Sequence, residues 1–431
     1  MRTREDVQAL TARVLSRVSA PEAQIEYGFT RSLTTRFAEN AITQNRGGEE
    51  EELRLTVAYG SRHGSSAINT VDDGALERLV TRAEAIARVA PEDPEHVPPL
   101  GPQQYPQTPS RLDPRVARME PGAIADHVQH IIGLAGEHGY VASGLMGATV
   151  KTAALATSAG LHAFYRYSKV ELSTTMHGPQ GSGYAAESSW TAGDVDPDAI
   201  ARRALATAHS AQAPRAAEPG DYTVILEPLA VADLLLFMAM NLGAREAEEG
   251  STALAGTLGT QLLSERFTLT TEIDDPRLPA APFSDDGLPS RRIAWIERGV
   301  PRRLHHSRYW ARVKGESPDP SLFPLCIAGE DRSVDDLVAR CARGLLVKRL
   351  WYIRYVDRKE LLLTGMTRDG LFLVEDGRIS CPVKNLRFNE SPLVLFRNIV
   401  GLSRHGYVNN FMRLPAVMSE GFTFSSTTES V

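Results

Sequence analysis

The sequence predicts an α+β fold: an N-terminal α/β region of antiparallel strands and helices, then a β-rich half shaped as a barrel or sandwich. Three observations carry this. Helical periodicity alternates with strand-like runs as far as residue 215. Beyond that point short β-rich segments recur between turns marked by Gly and Pro. A chain of 431 residues is also long enough for two or three separate cores. The expected domains are 1–215 and 216–431, with a proline-rich linker at about 91–121.

The first helix comes at once, with Val7, Leu10, Val14 and Val18 recurring on one face. Two strand-like segments follow, "AQIEYGFTRSLTTRFAEN" and "ELRLTVAYGSRHGSSAIN", with the turn between them expected at Gly47 and Gly48. "DDGALERLVTRAEAIARVA" predicts a helix whose acidic start suits the helix dipole, with Leu76, Leu79, Val80 and Ala83 on one stripe. "PEDPEHVPPLGPQQYPQTPSRLDP" holds too many prolines for a regular element and predicts an extended surface linker. Next come a helix over "GAIADHVQHIIGLAGEHG" capped at Gly139, strands through "ASGLMGATVKTAALATSAGLHAFYRYSKVELSTTMHG" and "GSGYAAESSWTAG", and a helix over "DPDAIARRALATAHSAQ". Helix, paired strands and helix thus occur twice, without a residue-level repeat. In the second half "YTVILEP" reads as a buried strand leading into an apolar helix at 229–242. "RFTLTTEID", "RRIAWIERG", "LWYIRYVD", "LFLVEDGRI" and "PAVMSEGFTF" read as further strands.

Composition excludes several classes. A formal charge of −6 offers no basic footprint for nucleic acid or an anionic membrane. Cys326, Cys341 and Cys381 form no CxxC pair, which excludes a disulfide framework and a cysteine-rich zinc module and suits a reducing, cytoplasmic setting. "MRTREDVQALTARVLSRV" lacks the apolar core of a signal peptide. The longest apolar run, "LAVADLLLFMAM", falls short of the ~20 residues that cross a bilayer. The expected chain is cytoplasmic and binds neither nucleic acid nor membrane.

The candidate chemistry is sparse. His127 and His130 stand at i, i+3, with Glu137 and His138 following, a spacing that could hold a metal but better suits an exposed helix surface. His305 and His306 are adjacent, and in a strand they would point to opposite faces. No GxSxG elbow surrounds any serine. Cys326 and Cys341 sit among apolar residues and read as core, and Cys381 has no histidine near it in sequence. "GPQGSG" joins two strands and opens no helix, so it reads as a hairpin loop and not a phosphate cradle. Asp285, Asp286 and Gly287, like Glu375, Asp376 and Gly377, are turn signals between strands. One stretch, "DLLLFMAMNLGAREAEEGST", is an apolar helix opening onto Glu246, Glu248 and Glu249, a turn suited to a hydrolytic metal site. Yet no histidine lies between His209 and His305.

Taken in order, "TTRFAENAITQN", "SSAINTVDDGALERLVTRAEAIA", "VILEPLAVADLLLFM", "GSTALAGTLGTQLLSERFTL", "APFSDDGLPSRRIAWIERGV" and "FLVEDGRISCPVKNL" resemble the TldD/PmbA family of modulator proteases over nearly the full length. In that family the TldD members carry an HExxxH helix and a cysteine near the C-terminus. The two imidazoles hold zinc, and the glutamate acts as general base on its water. Matching the motif's glycine to Gly243 puts its first histidine at Ala239, its glutamate at Met240 and its second histidine at Ala244. "GLSRHGYVNNFMRLPAVM" offers no cysteine for the third ligand.

The resemblance therefore implies the PmbA, or TldE, branch: no catalytic residue, metal or cofactor in this chain, and zinc in a TldD-like partner. It implies a heterodimer with that partner, or a homodimer, and an unfolded or leader-bearing peptide as substrate of the pair. Glu246, Glu248, Glu249, Arg291 and Arg292 are the candidates for lining the peptide cavity. The alternatives are a stand-alone peptidase or hydrolase built on Cys381 or on Asp285 and Asp286, and a peptide-binding or assembly protein in peptide natural-product maturation.

Overall fold

The computed structural model describes residues 1–107, 110–409 and 411–428. The first half uses one unit twice. The first copy is α1 (Arg4–Leu15), β1 (Glu22–Ala38), β2 (Ala41–Tyr59), β3 (Arg62–Ile68) and α2 (Asp73–Val89). After the short α3 (Pro114–Ala117) comes the second: α4 (Pro121–Glu137), β4 (Val141–Thr157), β5 (His162–His177), β6 (Ser182–Ser189) and α5 (Pro197–Ser210). The copies join along β1 and β4 into one antiparallel sheet of order β3-β2-β1-β4-β5-β6. Strand alternation sets the layers. Ile25, Tyr27, Leu33 and Phe37, all on one face of β1, are buried. The first two pack with Val14 of α1 and Leu79 of α2. The last two pack with Val128 of α4 and Ile200 of α5, so all four helices cover the same face.

The repeat has a residue-level trace after all. At Gly64 of β3, a Cβ would come within 2.1 Å of the Ala83 carbonyl oxygen and 2.4 Å of the Ala87 nitrogen, both in α2. At Gly183 of β6, it would come within 2.2 Å of the Ala204 oxygen and 2.4 Å of the Ala208 nitrogen, both in α5. Each last strand touches its closing helix backbone to backbone, which only glycine permits. One glycine and two alanines per copy are too ordinary to stand out in the sequence.

Two expectations need correction. Gly47 and Gly48 run inside β2, paired with Leu33 and Ser32. The hairpin turns instead at Glu39 and Asn40, with φ of 51° and 55°, the two left-handed residues of a tight hairpin. Asn40 fixes the turn by donating to the Tyr140 carbonyl at 2.9 Å and accepting from the Ala142 N–H at 2.7 Å. The described residues of the proline-rich segment form no helix or strand before α3, as expected of an extended linker, but part of the segment is packed into the protein and not laid on its surface. Leu100 and Tyr105 pack with Leu155, Tyr165 and Phe283. Arg111 and Asp113 are buried, and Arg111 donates to the Asp275 carbonyl at 3.1 Å. Burial alone would raise the pKa of Asp113, but hydrogen bonds from Arg115, Thr191 and the Ala192 N–H outweigh it and hold the carboxyl below the usual range.

The second half comprises β7 (Gly220–Leu226), α6 (Pro228–Ala239), α7 (Ala244–Glu248), β8 (Leu269–Thr271), β9 (Ile293–Glu297), β10 (Val300–Pro301), α8 (Arg308–Lys314), β11 (Leu325–Ile327) and α9 (Val334–Ala339). β12 (Arg343–Asp357), β13 (Leu362–Glu375), β14 (Arg378–Pro382), β15 (Leu386–Glu390), α10 (Pro392–Arg397), β16 (Ile399–Val408) and β17 (Met412–Thr427) complete it. Strands β17-β15-β13-β12-β7 form a ring, because β17 also pairs with β7. This is the barrel-like closure expected of the β-rich half. On β7, Val224 and Leu226 join the core with α6, whereas Ile225 faces the opposite cluster with Leu337 of α9. Burial on both faces explains the unbroken apolar run in "YTVILEP".

A polar joint links the halves. Ser182 of β6 donates to Asp369 Oδ1 at 2.7 Å, and Arg349 of β12 donates to Asp369 Oδ2 at 2.7 Å. The Arg349 guanidinium also lies 3.9 Å from the Tyr184 ring centroid and 4.8 Å from that of Trp351. Asp233 of α6 stands beside it. Burial pushes the Asp233 carboxyl up to about 7, against the opposing pull of Arg349 and a hydrogen bond from the Leu350 backbone. No helix among the described residues is long and apolar enough to cross a membrane.

Candidate functional site

α6 starts at Pro228, a residue suited to a first helical turn, and buries Ala230, Val231, Leu234, Leu235, Met238 and Ala239. It ends at Ala239, short of the expected 242. The cause lies in two sets of hydrogen bonds. Asn241 folds back to donate to the Phe237 carbonyl at 2.9 Å. His305 then bridges the break: its N–H donates to the Leu242 oxygen at 2.7 Å, and its carbonyl accepts from the Ala244 N–H at 2.9 Å. These bonds bracket Gly243, which caps the N-terminus of α7. The Glu246 carboxylate folds over Gly243, where a Cβ would lie 2.1 Å from it.

The three positions matched to the metal motif therefore fall in different surroundings. Ala239 and Ala244 are each 2% exposed within the apolar core, and Met240 is 62% exposed. None offers the imidazole, thiolate or carboxylate that zinc takes. The His305 ring is engaged elsewhere, with Nε2 2.9 Å from the Pro320 carbonyl. Among the described residues no three His, Cys, Asp or Glu side chains converge as a metal cage. The residues at the three matched positions do not fit a metal.

Next to His305 a cleft of about 470 Å³ is lined by Asp285, Asp286, Ser290, Arg308, Asp319 and Phe411, among others. Asp319 is its organising group. Its fully buried side chain accepts from Arg291 at 2.9 Å, Arg303 at 2.7 Å and the His306 N–H at 3.1 Å. Asp285, Asp286 and Gly287 form the expected turn, closed by the Phe283–Pro289 bridge. Asp376 and Gly377 form the other, at φ of 48° and 74°.

Four of the five candidate cavity residues fall into separate ion-pair sets, and the fifth, Glu246, folds over Gly243. Glu248 pairs with Lys314 and accepts from Trp310 Nε1 at 3.3 Å. Glu249 lies 3.0 Å from Arg245, which also reaches Glu95 at 2.7 Å. Arg291 is on Asp319, and Arg292 is 3.3 Å from Glu272. Glu246, Glu248 and Glu249 are all exposed.

At the C-terminal hairpin, where the resemblance seeks a third ligand, the structure places a buried ion pair. Asp275 accepts from Arg413 at 2.7 Å and from the Tyr407 hydroxyl at 3.3 Å. Cys326 of β11 arrives opposite Arg413, so a cysteine does reach this hairpin, from a distant strand. Burial pushes its thiol up to about 11, which keeps it protonated near neutrality. Cys341 is buried as expected, and Cys381 is half-buried in β14. His127 and His130 are exposed on α4, where His130 Nε2 lies 2.9 Å from Asp198.

Reading the sequence alone missed Asp319, Asp275 and Asp233. Asp319 sits between two prolines in "SPDPSLFP", a carboxylate in a stretch with few polar neighbours, and this was the available signal. Nothing in spacing ties any of the three to its arginine.

Family-level comparison then assigns the chain. The model described as "PmbA/TldA metallopeptidase C-terminal domain" matches residues 219–426, and "PmbA/TldA metallopeptidase domain 1" matches residues 23–87. The chain belongs to the PmbA/TldD family. TldE from Thermococcus kodakarensis shares the PmbA/TldD fold seen here, with a TM-score of 0.88, 18% identity, and coverage of 98% of this chain and 100% of that one. So do two candidate modulators of DNA gyrase. The one from Bacteroides thetaiotaomicron has a TM-score of 0.87 and 20% identity, covering 99% of this chain and 100% of that one. The one from Thermotoga maritima has a TM-score of 0.87 and 18% identity, covering 97% and 100%. At these identities the likeness shows the fold alone. No curated protein sequence matches the chain.

Proposed function

We propose that this PmbA/TldD-family chain is the non-catalytic, TldE-like subunit of a two-component metal-dependent peptidase acting in the cytoplasm on unfolded or leader-bearing peptides. The carrying observation is the break between α6 and α7, where the family's metal motif maps onto two core alanines and a solvent-facing thioether. Zinc hydrolysis needs imidazole or carboxylate ligands and a base beside the bound water. A partner carrying HExxxH supplies both. β12 leaves Trp351, Tyr352 and Val356 exposed, and aromatic groups of this kind suit the core of a subunit interface. The domain border falls near residue 215, between α5 and β7.

The test is reconstitution. The chain, an HExxxH-bearing family member and their mixture are each incubated with zinc and an unstructured fluorogenic peptide. Cleavage is expected to need the HExxxH-bearing member and to rise when this chain is added. Chelator-insensitive cleavage by this chain alone would overturn the proposal.

A further inference from the structure

We infer that the open end of the first sheet binds a small organic anion, a carboxylate or phosphate joined to a flat apolar body, through Arg4 and Arg166. β6 pairs with β5 only from Val170 to His177, so it leaves the first part of β5 uncovered. A cavity of about 490 Å³ wraps that end. Both faces of β5 line it: Phe164 packs on the helix-covered side, and Ala163 and Tyr165 belong to the cluster on the other. Its volume lies within the ~300–1,000 Å³ of small-ligand pockets.

Charge selects an anion. Arg4 and Arg166 stack on the same ring, 5.3 and 5.2 Å from the Phe164 centroid. Arg166 directs its hydrogen bonds to neutral oxygens, the Thr152 hydroxyl and the Arg2 carbonyl. Arg4 makes only the ring contact among the described residues. Among the described residues no Asp or Glu lines the cavity, although the chain as a whole is acidic. A guanidinium meets a carboxylate or phosphate through two parallel hydrogen bonds, so two that line one cavity without a carboxylate partner among the described residues form a receptor for that group.

Tyr165 lines the cavity from the other face of β5, with its hydroxyl buried. Leu155, Ala163 and the Phe164 ring supply an apolar wall for the body of the ligand. The cavity shares no residue with the cleft beside His305, so the inference stands apart from the peptidase reading.

Calorimetry on the full chain at low salt tests this with N-acetylphenylalanine, phenyl phosphate and the neutral N-acetylphenylalaninamide. At least one anion is expected to bind, and the amide roughly tenfold or more weaker, as loss of a charge-assisted hydrogen bond implies. Arg4 is exposed, so Arg4→Gln should leave the fold intact and weaken the anion about tenfold. Tighter phenyl phosphate assigns a phosphate ligand, and the reverse order a carboxylate. The inference is overturned if neither anion binds at millimolar concentration, if the amide binds as well, or if Arg4→Gln leaves the affinity unchanged.

Discussion

Replacing Asp233 by Asn should stabilise the protein, by an amount that grows as pH rises from acid to alkaline. Asp233 is the one ionisable residue of α6, and burial raises its carboxyl from an ordinary 3.8 to about 7. A folded pKa above the unfolded one means the native state holds the proton more tightly. The stability this group contributes is complete below pH 3.8 and is lost as pH rises through about 7. At about 1.4 kcal/mol per pH unit, the gap amounts to about 4 kcal/mol lost by pH 8, of which about 1.5 is already gone at pH 5. Asn keeps an oxygen for the Leu350 N–H and carries no charge to desolvate. Arg349 retains Asp369 at 2.7 Å. The advantage of Asp233→Asn over the parent should therefore grow by about 2–3 kcal/mol between pH 5 and pH 8. Urea denaturation of both proteins at pH 5, 6, 7 and 8 reads this directly. A variant no more stable at pH 8, or an advantage that does not change with pH, would refute the reasoning.

Further expectations concern packing, charge and assembly. Gly64→Ala and Gly183→Ala should each lower stability by about 1–3 kcal/mol, since their methyls meet helix backbone that cannot swing aside; thermal melts read this. Asp319→Ala leaves Arg291 and Arg303, both partly exposed, without their shared carboxylate and should cost about 1.5–3 kcal/mol by chemical denaturation. Elemental analysis of the purified chain should find less than stoichiometric zinc; one tightly held ion per chain would redirect attention to His127 and His130. Light scattering at low micromolar concentration should show at least a dimer once the partner is present, and two separate monomers would count against the proposed assembly.

The architecture was largely legible, because it rests on periodicity. The stripe of Leu76, Leu79 and Val80 and the alternation of Ile25 and Tyr27 are local patterns that survive folding unchanged. The family was legible too, through the order of six modest segments. The first hairpin was misread because a Gly-Gly pair outweighs Glu-Asn as a turn signal, whereas the real turn is fixed by Asn40 bonding to β4, a partner remote in sequence. The surroundings of the candidate site were hidden for the same reason. His305 ends α6 through its backbone, and any residue type can do that, so no letter in the sequence announces it.

The closure of the second sheet has a consequence for how the protein is made. β17 pairs with β7, β11, β15 and β16, so one late segment completes four ladders. The first sheet, by contrast, has all its strands once residue 189 has emerged from the ribosome. From then until β17 appears, the β-rich half must carry β7 and β15 as open edges with apolar faces, a form prone to pairing with other chains. A premature stop shortly before Met412 would thus do more damage than its length suggests: it would leave a finished first sheet tethered to a half that has no way to close.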